Sequence, residues 1–424
     1  MNVKIEQGAV RGMVAAIPSK SHLHRLLICA ALADEPTKIY CQHTGAEDIA
    51  ATVACLEVLG AQVIVLVDGF NVVPINIKDI PKQCVLPCRE SGSTLRFLLP
   101  VVAALGVTAT FAMQGRLPER PLFPLDEQLT KHGITLTRPN ATTLRICGQL
   151  KAGNYELPGN VSSQYISGLL IALPLLKQDS KLAITGKIES ADYLAITINV
   201  QREFRVLHDY TEQLYTINGS ACYRSPQYTN VDGDWSNGAF WLACGAMPDC
   251  SITLNKIYQN SLQGDRLILA ILSQLGAVVS RNEEQVTVTE NQRQAVDIDA
   301  AAIPDLIPVV AAVLSTAIGT SKITNAGRLR IKESDRLATT ASTLNALGAK
   351  IIELKDGLII EGVSSLKGGT VDAHNDHRIA MCAAVASLAC IEPVILTGAE
   401  AVNKSYPQLW FDFAKLGKNL MIEE

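Results

Sequence analysis

Small polar and basic residues stand directly before an apolar run near the start of the chain, in the stretch IPSKSHLHRLLICAALADEP (residues 17–36). Ser19 or Ser21 can cap a helix that begins here. The free backbone N–H groups of a helix N-terminus attract anions, and Lys20 and Arg25 add positive charge within one turn. The stretch therefore predicts an anion site, although a capped helix with two solvated cations is the alternative.

Three further stretches of the first half combine a helix or loop start with small, polar or basic residues. In CRESGSTLRFLLP, Gly92 allows a ligand to approach the backbone closely. QGRLPERPL is a proline-stiffened loop that contains Arg120, and a rigid surface turn is its alternative interpretation. NVSSQYISGLL opens a helix with Ser162, Ser163 and Gln164, whereas capping needs only one of them.

The second half of the chain contains denser groups of charged residues. GRLRIKESDRLA includes six of them within nine residues, namely Arg328, Arg330, Lys332, Glu333, Asp335 and Arg336. DAHNDHRIAMCAAVASL places His377 and Arg378 before an apolar helix, and AVNKSYPQLW contains Lys404. AAIPDLIPVVAAVL isolates Asp305 between prolines. Asp305 could simply cap its helix, and a lone histidine is more often structural than catalytic.

These mostly basic groups recur at helix starts in a chain whose formal net charge is -4. If the helix starts face one cleft, that cleft is positive and suits a small substrate with several phosphate or carboxylate groups. Asp305 and Glu333 are then the carboxylates left for proton transfer, with pKa values set by burial and by neighbouring cations. The net acidity argues against a nucleic-acid partner.

Length and composition define the broad class. A chain of 424 residues is too long for one ordinary core, so we expect two domains, and 48% hydrophobic with 18% charged residues is a globular composition. The 11 cysteines lie mostly in apolar runs, which is typical of reduced, buried thiols, and Cys84 and Cys88 lack the further ligands of a metal site. No stretch resembles a signal peptide or a membrane span, so we expect a cytosolic protein.

A short phrase recurs along the chain, for example as CLEVLGAQVIV and TLNALGAKIIE. The equivalent positions, 73, 72, 71, 72 and 69 residues apart, are Gly60, Gly133, Arg205, Gly276, Gly348 and Gly417. Each phrase predicts an apolar helix that ends in a left-handed C-cap and is followed by strands, with Asp-Gly hairpin signals in two copies. Chance recurrence of a common helix ending is the alternative, but the regular period favours a repeat. At Arg205 either the helix ends differently or the alignment is loose.

Six repeats predict two similar domains of three units each. After Gly417 the chain is too short for the last hairpin, and VKIEQGAVRGMV at the N-terminus supplies a spare pair of strands. We therefore expect one domain over residues 14–230 and a second over residues 1–13 plus 231–424. The cleft between two domains is the default ligand site.

The motifs resemble, in order and over essentially the whole length, those of the 5-enolpyruvylshikimate-3-phosphate synthase family. They are PSKSHLHR, ESGSTLRF, LPERP, SSQ, IPDLIP, RIKESDR, NDHRIAM and NKSYP. The resemblance implies an α/β fold of two domains, each of three βαββαβ-type units in an inside-out α/β barrel, with the active site in the interdomain cleft. It also implies transfer of the enolpyruvyl group of phosphoenolpyruvate to the 5-hydroxyl of shikimate 3-phosphate, with release of phosphate through a tetrahedral intermediate. This is a step of aromatic amino acid biosynthesis, and no metal or organic cofactor is implied.

The resemblance also implies roles for the residues that match family motifs. Shikimate 3-phosphate would contact Lys20, Ser21, Arg25, Ser162, Ser163, Gln164, Ser190, Tyr193, Asp305, Arg328 and Lys332. Phosphoenolpyruvate would contact Lys20, Gly92, Arg120, Gln164, Arg336, Arg378 and Lys404. Asp305 would accept the hydroxyl proton, and Glu333 would transfer protons at the methylene carbon, with Lys20 close to both.

Two positions depart from the family pattern, because Glu90 and Arg328 stand where many or some members have Asn. The related transferases that act on UDP-N-acetylglucosamine have a cysteine in a mobile loop, and the comparable QGRLPERPL has none. A non-catalytic anion-binding relative would have lost Lys20, Asp305 or Glu333, and all three are present. We expect a cytoplasmic monomer that acts on small molecules, without nucleic-acid or membrane partners.

Overall fold

The computed structural model describes residues 1–42 and 45–423, which form two compact units. The first unit contains residues 20–42 and Glu47–Val231. The second unit contains Met1–Ser19, residues 45–46 and the described residues from Asp232 onward. Both units combine helices with mixed sheets, so the α/β class expected from the sequence is confirmed.

The elements are numbered in chain order. The α-helices of the described residues are α1 (Lys20–Ala31), α2 (Glu47–Val58), α3 (Gly92–Leu105), α4 (Leu125–Lys131), α5 (Ser163–Ala172), α6 (Ala191–Glu203), α7 (Trp235–Gly245), α8 (Ile268–Gln274), α9 (Ile307–Leu314), α10 (Arg336–Ala346), α11 (His377–Ala386) and α12 (Leu409–Lys415). The strands are β1 (Asn2–Ile5), β2 (Arg11–Ala15), β3 (Thr37–Tyr40), β4 (Gln62–Leu66), β5 (Gly69–Val73), β6 (Gln83–Arg89), β7 (Thr108–Met113), β8 (Ile134–Asn140), β9 (Thr143–Gly148), β10 (Asn154–Pro158), β11 (Ser180–Thr185), β12 (His208–Thr211), β13 (Leu214–Ile217), β14 (Tyr228–Asn230), β15 (Ser251–Asn255), β16 (Val278–Arg281), β17 (Gln285–Thr289), β18 (Ile298–Asp299), β19 (Thr320–Thr324), β20 (Lys350–Leu354), β21 (Gly357–Glu361), β22 (Gly369–Asp372), β23 (Val394–Thr397) and β24 (Leu420–Glu423).

In the described residues these strands form six four-stranded sheets, three in each unit. The sheets of the first unit have the orders β14-β3-β5-β4, β6-β7-β9-β8 and β10-β11-β13-β12, and those of the second unit have the orders β2-β15-β17-β16, β18-β19-β21-β20 and β22-β23-β1-β24. Every sheet begins with a parallel pair and continues with two antiparallel pairs, as in β6, β7, β9 and β8. A parallel pair needs a crossover, which α3 supplies between β6 and β7.

Within one repeat, which builds one sheet, the order of elements is βαβαββ, as in β6-α3-β7-α4-β8-β9. It differs from the βαββαβ order that the resemblance implied, because three strands follow one another without a helix, as β8, β9 and β10 do. The physical reason is that the hairpin leads directly into the edge strand of the next sheet. Only the parallel pairs require a helical connection.

Three strands pair with partners that are distant in sequence. β2 precedes α1 in the chain but pairs in parallel with β15, so that Arg11 lies opposite Ser251. β14 precedes α7 but pairs with β3. β1 lies between β23 and β24, with Asn2 opposite both Thr397 and Glu423. β1 therefore occupies the place in its sheet that β9 has between β7 and β8.

All six repeat positions have the left-handed backbone conformation after a helix. The glycine φ angles are 102° at Gly60, 97° at Gly133, 104° at Gly276, 99° at Gly348 and 98° at Gly417. Arg205 has φ 61° and follows α6, so it adopts the same conformation without being glycine. Arg205 is therefore a true member of the series, and its helix ends as the other five do.

Six helices are buried on nearly every side, namely α1, α3 and α5 of the first unit and α7, α9 and α11 of the second. Such all-round burial needs neighbours on each face, which the flanking sheets and the amphipathic helices provide. Apart from Leu105 at the end of α3, the residues of these helices that are not buried lie in the first turn. They are Lys20, Ser21, Ser93, Gln164 and Ser236. No helix in the described part of the chain has the length and apolar character that a membrane crossing requires.

Candidate active site

The first residue of α1 is Lys20, whose Nζ lies 2.5 Å from Oδ2 of Asp48 on α2. The side chains of Lys20 and Asp48 are 17% and 13% exposed. The ammonium group is therefore both paired and accessible. An incoming anion would compete with the Asp48 carboxylate for this charge.

Arg25, one turn further along α1, is only 2% exposed. Its Nε donates to Thr197 Oγ1 at 2.6 Å, and its Nη1 donates to the Ser21 carbonyl at 2.6 Å. Its Nη2 donates to Ser167 Oγ at 3.3 Å and to the Tyr193 carbonyl at 3.1 Å. Burial lowers the pKa of Arg25 to about 10, so the group remains charged at neutral pH. Arg25 therefore joins α1 to α5 and α6 and brings Ser21 close to Tyr193.

The N-terminus of α3 begins with Gly92, and its cap residue Ser91 accepts a hydrogen bond from Thr94 N. A Cβ added to Gly92 would lie 2.8 Å from Nη1 of Arg120 and 3.2 Å from Nη1 of Arg96. Both guanidinium groups therefore approach the helix end because Gly92 has no side chain. A helix N-terminus with two guanidinium groups beside it is suited to bind an anion.

Polar side chains link α3 to the start of α5. Arg96 Nη1 donates to Gln164 Oε1 at 2.8 Å, and Gln164 Nε2 donates to Ser93 Oγ at 2.9 Å. Ser162 is the cap of α5 and accepts from Gln164 N, whereas Ser163 is buried. One serine thus caps the helix, and the side chain of Gln164 is directed to α3.

In the second unit, Asp305 lies in the short 3-10 helix Pro304–Leu306 before α9. Its Oδ1 is 2.6 Å from Nη1 of Arg336 and 3.2 Å from Nζ of Lys332. Burial acts to raise the pKa of Asp305, but the charges of Lys332, Arg336 and Arg378 outweigh it and hold the pKa well below its usual range. Asp305 is therefore ionised and shared by two cations, which the simple capping alternative does not explain.

Arg336 is fully buried and contacts three carboxylates. Besides Asp305, its Nη2 lies 2.8 Å from Glu333 Oε2, and its Nε lies 2.8 Å from Asp376 Oδ2. Burial disfavours the cation, but the three carboxylates outweigh this effect and raise the pKa of Arg336 above its usual value. Asp376 also caps α11 by accepting from Arg378 N at 2.9 Å. Asp376 therefore fixes Arg336 against the end of α11.

Arg378 is directed by Ser236, the second residue of α7. Its Nη1 donates to the Ser236 carbonyl at 2.6 Å and its Nη2 donates to Ser236 Oγ at 2.5 Å. The buried Nε of Arg378 makes no hydrogen bond to any residue described in the structure. Lys404 Nζ donates to the Asn375 carbonyl at 2.5 Å. The Nε of Arg378 is thus a donor that a bound ligand could satisfy.

Behind Ser236 lies Asp265, a carboxylate that is 3% exposed and hydrogen-bonded to the Ser236 side chain. Burial raises the pKa of Asp265 to about 6, and the nearby negative charge of Asp305 acts in the same direction. A chain of contacts therefore runs from Arg378 through Ser236 to Asp265.

The structure divides the dense charged cluster of the sequence into separate groups. Arg330 Nη1 pairs with Asp335 Oδ2 at 2.9 Å and with Glu353 Oε1 on β20 at 2.8 Å. Arg328 Nη1 lies 3.4 Å from the carbonyl of Ala301. The pairing of Arg330 joins the start of α10 to a hairpin, so it stabilises the fold and contributes no group to the cluster around Asp305.

Comparison with known proteins gives the family. A family model described as EPSP synthase (3-phosphoshikimate 1-carboxyvinyltransferase) matches residues 5–413. The chain is 43% identical over 421 residues to the 3-phosphoshikimate 1-carboxyvinyltransferase of Clostridium kluyveri, covering 98% of this chain and 97% of that protein. The chain belongs to the EPSP synthase family. The 3-phosphoshikimate 1-carboxyvinyltransferase of Clostridium acetobutylicum is 40% identical over 422 residues, with the same coverage of 98% and 97%.

Solved structures confirm the fold of this EPSP synthase family member. EPSP synthase from Acinetobacter baumannii has a TM-score of 0.80 at 22% identity and covers 99% of this chain and 100% of its own. The enolpyruvyl transferase NikO from Streptomyces tendae has a TM-score of 0.79 at 17% identity, with coverage of 99% and 98%. The structures confirm the fold, and the family model and the relatives confirm the family resemblance inferred from the motifs.

Family membership leaves the roles of individual residues as predictions. Within the first unit, contacts join Ser21, Arg25 and Tyr193, and they bring Gly92 next to Arg120. Ser190, the residue before α6, is buried with φ 56°. Within the second unit, contacts join Asp305, Lys332, Glu333 and Arg336. Within residues 1–42 and 45–423, no group of three or more His, Cys, Asp or Glu could hold a metal ion.

Three carboxylates of these clusters were missed from the sequence. Asp376 stands inside the NDHR motif, so its position next to a basic pair was a usable signal. Asp48 opens α2, where an acidic residue has the ordinary explanation of the helix dipole. Nothing in the sequence around Asp265 distinguishes it from a helix-start aspartate.

Proposed function

We propose that this chain transfers the enolpyruvyl group of phosphoenolpyruvate to the 5-hydroxyl of shikimate 3-phosphate and releases phosphate. This is the EPSP synthase reaction of the shikimate pathway, and membership of that family supports it. The structural observation that supports the chemistry most directly is the contact of Asp305 and Glu333 with one buried cation, Arg336. Two carboxylates in one charged cluster are what two proton transfers require.

The proposal assigns phosphoenolpyruvate binding to Lys20, Gly92, Arg120, Gln164, Arg336, Arg378 and Lys404. Most of these are basic groups with little solvent exposure, where charge–charge attraction is stronger than in water. In the structure, carboxylates neutralise Lys20 and Arg336. We propose that the phosphate and carboxylate groups of phosphoenolpyruvate replace these protein carboxylates.

The proposal assigns shikimate 3-phosphate binding to Lys20, Ser21, Arg25, Ser162, Ser163, Gln164, Ser190, Tyr193, Asp305, Arg328 and Lys332. The contacts of Arg25 support the assignment of Ser21 and Tyr193, because Arg25 holds the main-chain carbonyls of both residues. The contact of Lys332 with Asp305 supports their assignment as well, because it places a cation beside the group that would accept the hydroxyl proton.

Asp305 would act as the base for the 5-hydroxyl. Its low pKa makes it a weak base while Lys332 and Arg336 are bound to it. If substrate anions draw these cations away, the proton affinity of Asp305 rises at the moment when the hydroxyl is present. Glu333 would transfer protons at the methylene carbon, Lys20 would also take part in catalysis, and the cations would stabilise the departing phosphate.

We further propose that the chain acts as a cytoplasmic monomer on these two small molecules, without a cofactor and without nucleic-acid or membrane partners. Analytical ultracentrifugation at the concentration of the activity assay tests the monomer. A dimer that dissociates only with loss of activity would contradict it.

Phosphate release tests the reaction. The purified protein is mixed with phosphoenolpyruvate, once with shikimate 3-phosphate and once with UDP-N-acetylglucosamine. Release with shikimate 3-phosphate alone is the expected result, and release with neither or only with the sugar nucleotide refutes the proposal. Asp305→Ala and Glu333→Gln should bind substrate and lose most turnover, whereas the matched control Glu353→Gln, whose carboxylate only pairs with Arg330, should keep it.

A further inference from the structure

A chain of hydrogen bonds crosses the interior of the first unit through residues to which the proposed function assigns no role. His24 Nδ1 lies 2.7 Å from Thr52 Oγ1, which lies 2.6 Å from Thr94 Oγ1. Thr94 Oγ1 donates to Ser91 Oγ at 2.7 Å. The four residues are between 0% and 1% exposed. The chain therefore joins α1, α2 and the cap of α3 without contact with solvent.

The order of donors along this chain follows from counting hydroxyl protons. Thr94 has one hydroxyl proton, and the nearer of its two acceptors is Ser91 Oγ at 2.7 Å, against 3.4 Å for the Asp48 carbonyl. With this proton directed to Ser91, Thr52 must donate to Thr94. The Thr52 oxygen then accepts from His24, which requires a proton on Nδ1 of the imidazole. Burial, with the charges of Lys20 and Arg25, lowers the pKa of His24 well below its usual value, so the ring is neutral. His24 is therefore a neutral Nδ1–H donor.

The chain lies one helical turn from residues of the proposed site. Lys20 precedes His24 by four residues on α1, and Asp48 precedes Thr52 by four residues on α2. The same spacing on both helices places the His24–Thr52 contact below the Lys20–Asp48 ion pair. At the other end of the chain, Ser91 directly precedes Gly92 in sequence. A displacement of any residue in this hydrogen-bond chain would therefore also displace Lys20 or the N-terminus of α3.

A buried polar chain is favourable only when each member has its partner, because an unsatisfied buried group is costly. Apolar side chains of similar size would tolerate small slips of one helix against another, whereas hydroxyl contacts of 2.6 and 2.7 Å do not. The contact of Thr52 with Thr94 ties α3 to α2. The chain therefore selects one register of α1, α2 and α3.

We propose that His24, Thr52 and Thr94 are positioning residues that hold Lys20 and the Gly92 end of α3 in the arrangement that binds phosphoenolpyruvate. They do not touch substrate themselves. This inference rests on the proposed function, which gives Lys20 and Gly92 to that substrate. It adds three residues from helix interiors to those that determine how phosphoenolpyruvate binds.

The first test needs no activity. The full chain is labelled with 15N at its 7 histidines, and the His24 signals are assigned with the variant His24→Asn. We expect the neutral Nδ1–H tautomer with constant shifts from pH 6 to pH 8. In Thr52→Val, which removes the acceptor, the ring should lose this single tautomer. An Nε2–H tautomer in the unchanged protein overturns the proposal.

The second test compares substrates. Thr52→Val and Thr94→Val keep the side-chain shape and break the chain, so the KM for phosphoenolpyruvate should rise about tenfold, as expected for one buried group left without its partner. The KM for shikimate 3-phosphate should change less than about twofold. Thr52→Ser keeps the hydroxyl, and His24→Asn keeps a donor near the position of Nδ1. Both variants should therefore retain most of the affinity for phosphoenolpyruvate that Thr52→Val loses.

The outcomes separate the two proposals. If Thr52→Val lowers the melting temperature but leaves both KM values unchanged, the chain is structural only and the inference is wrong. Equal increases in both KM values also contradict it. If the unchanged protein releases no phosphate from phosphoenolpyruvate, the proposed function fails. The tautomer measurement still decides whether the hydrogen-bond chain from His24 to Ser91 exists. Thr94→Val replaces Thr52→Val if the latter does not fold.

Discussion

Asp376 offers the sharpest test of how the second unit holds its arginine. The carboxylate is 0% exposed, and it accepts from Arg336 Nε at 2.8 Å and from Arg336 Nη2 at 3.1 Å. Replacement by Asn removes the charge and keeps the ability to cap α11, because Asn and Asp cap helices about equally well. The variant Asp376→Asn therefore isolates the ion pair.

Loss of one partner of a buried ion pair costs about 3–5 kcal/mol. Arg336 retains Asp305 and Glu333 in Asp376→Asn, so we expect the lower end, about 3 kcal/mol. For a folding unit of roughly 200 residues, this corresponds to a fall of about 6–12 °C in melting temperature. Because Arg336 would lose its fixed orientation, the KM for phosphoenolpyruvate should rise as well.

Calorimetry and steady-state kinetics on Asp376→Asn measure both effects. The control is Ser334→Ala, which removes a 2.9 Å hydrogen bond to the same carboxylate without changing charge and should cost only about 1 kcal/mol. A melting temperature within about 2 °C of the unchanged protein would show that Asp376 does not hold Arg336. Equal losses in the two variants would show that the hydrogen bond, and not the charge, matters.

Three further predictions follow from single positions. Gly115 has φ 54° and a Cβ there would collide with the Glu90 carboxylate, so Gly115→Ala should destabilise the protein by about 1–3 kcal/mol in urea titrations and Glu90→Ala should restore part of the loss. The folded-state pKa of Asp265, about 6, lies above the ordinary aspartate value. The raised pKa therefore contributes stability that is fully present below the unfolded-state pKa and is lost as pH rises through 6. The free energy of unfolding of the unchanged protein, relative to that of Asp265→Asn, should fall by roughly 2–3 kcal/mol between pH 4 and pH 7. Arg205→Gly relieves the left-handed strain at φ 61° and should raise the free energy of unfolding by about 0.5 kcal/mol without changing turnover.

The repeat was predictable from sequence because its signal is local. A glycine after an apolar helix and an Asp-Gly turn between β-rich segments need no partner elsewhere in the chain. The same local reasoning did not predict the left-handed conformation of Arg205, because its side chain is exposed and its neighbours give no signal for that conformation. The element order within a unit was less accessible, because it depends on which strands pair in parallel.

The candidate site was predictable in its residue types but not in its contacts. Arg330 and Arg336 are six residues apart and equally basic in sequence, yet Arg336 contacts Asp305 and Asp376 while Arg330 pairs with Glu353. Sequence spacing within the motif cannot separate them, because the deciding carboxylates lie 23 to 40 residues away. Tertiary pairing of separate elements assigns one arginine to the cluster and the other to the fold.

The repeat also explains why the motifs occur where they do. Along a helix that is buried on every side, a charged residue is desolvated and needs buried partners, as Arg25 has on α1. The N-terminal turn of such a helix differs, because the backbone N–H groups there need partners from outside the helix. Each of the six buried helices therefore offers one position for chemistry, and the sequence fills these positions differently. Lys20 begins α1 and Gly92 begins α3, whereas Asp305 precedes α9. A sixfold repeat of one structural solution thus supplies both the cations and the base of the proposed reaction.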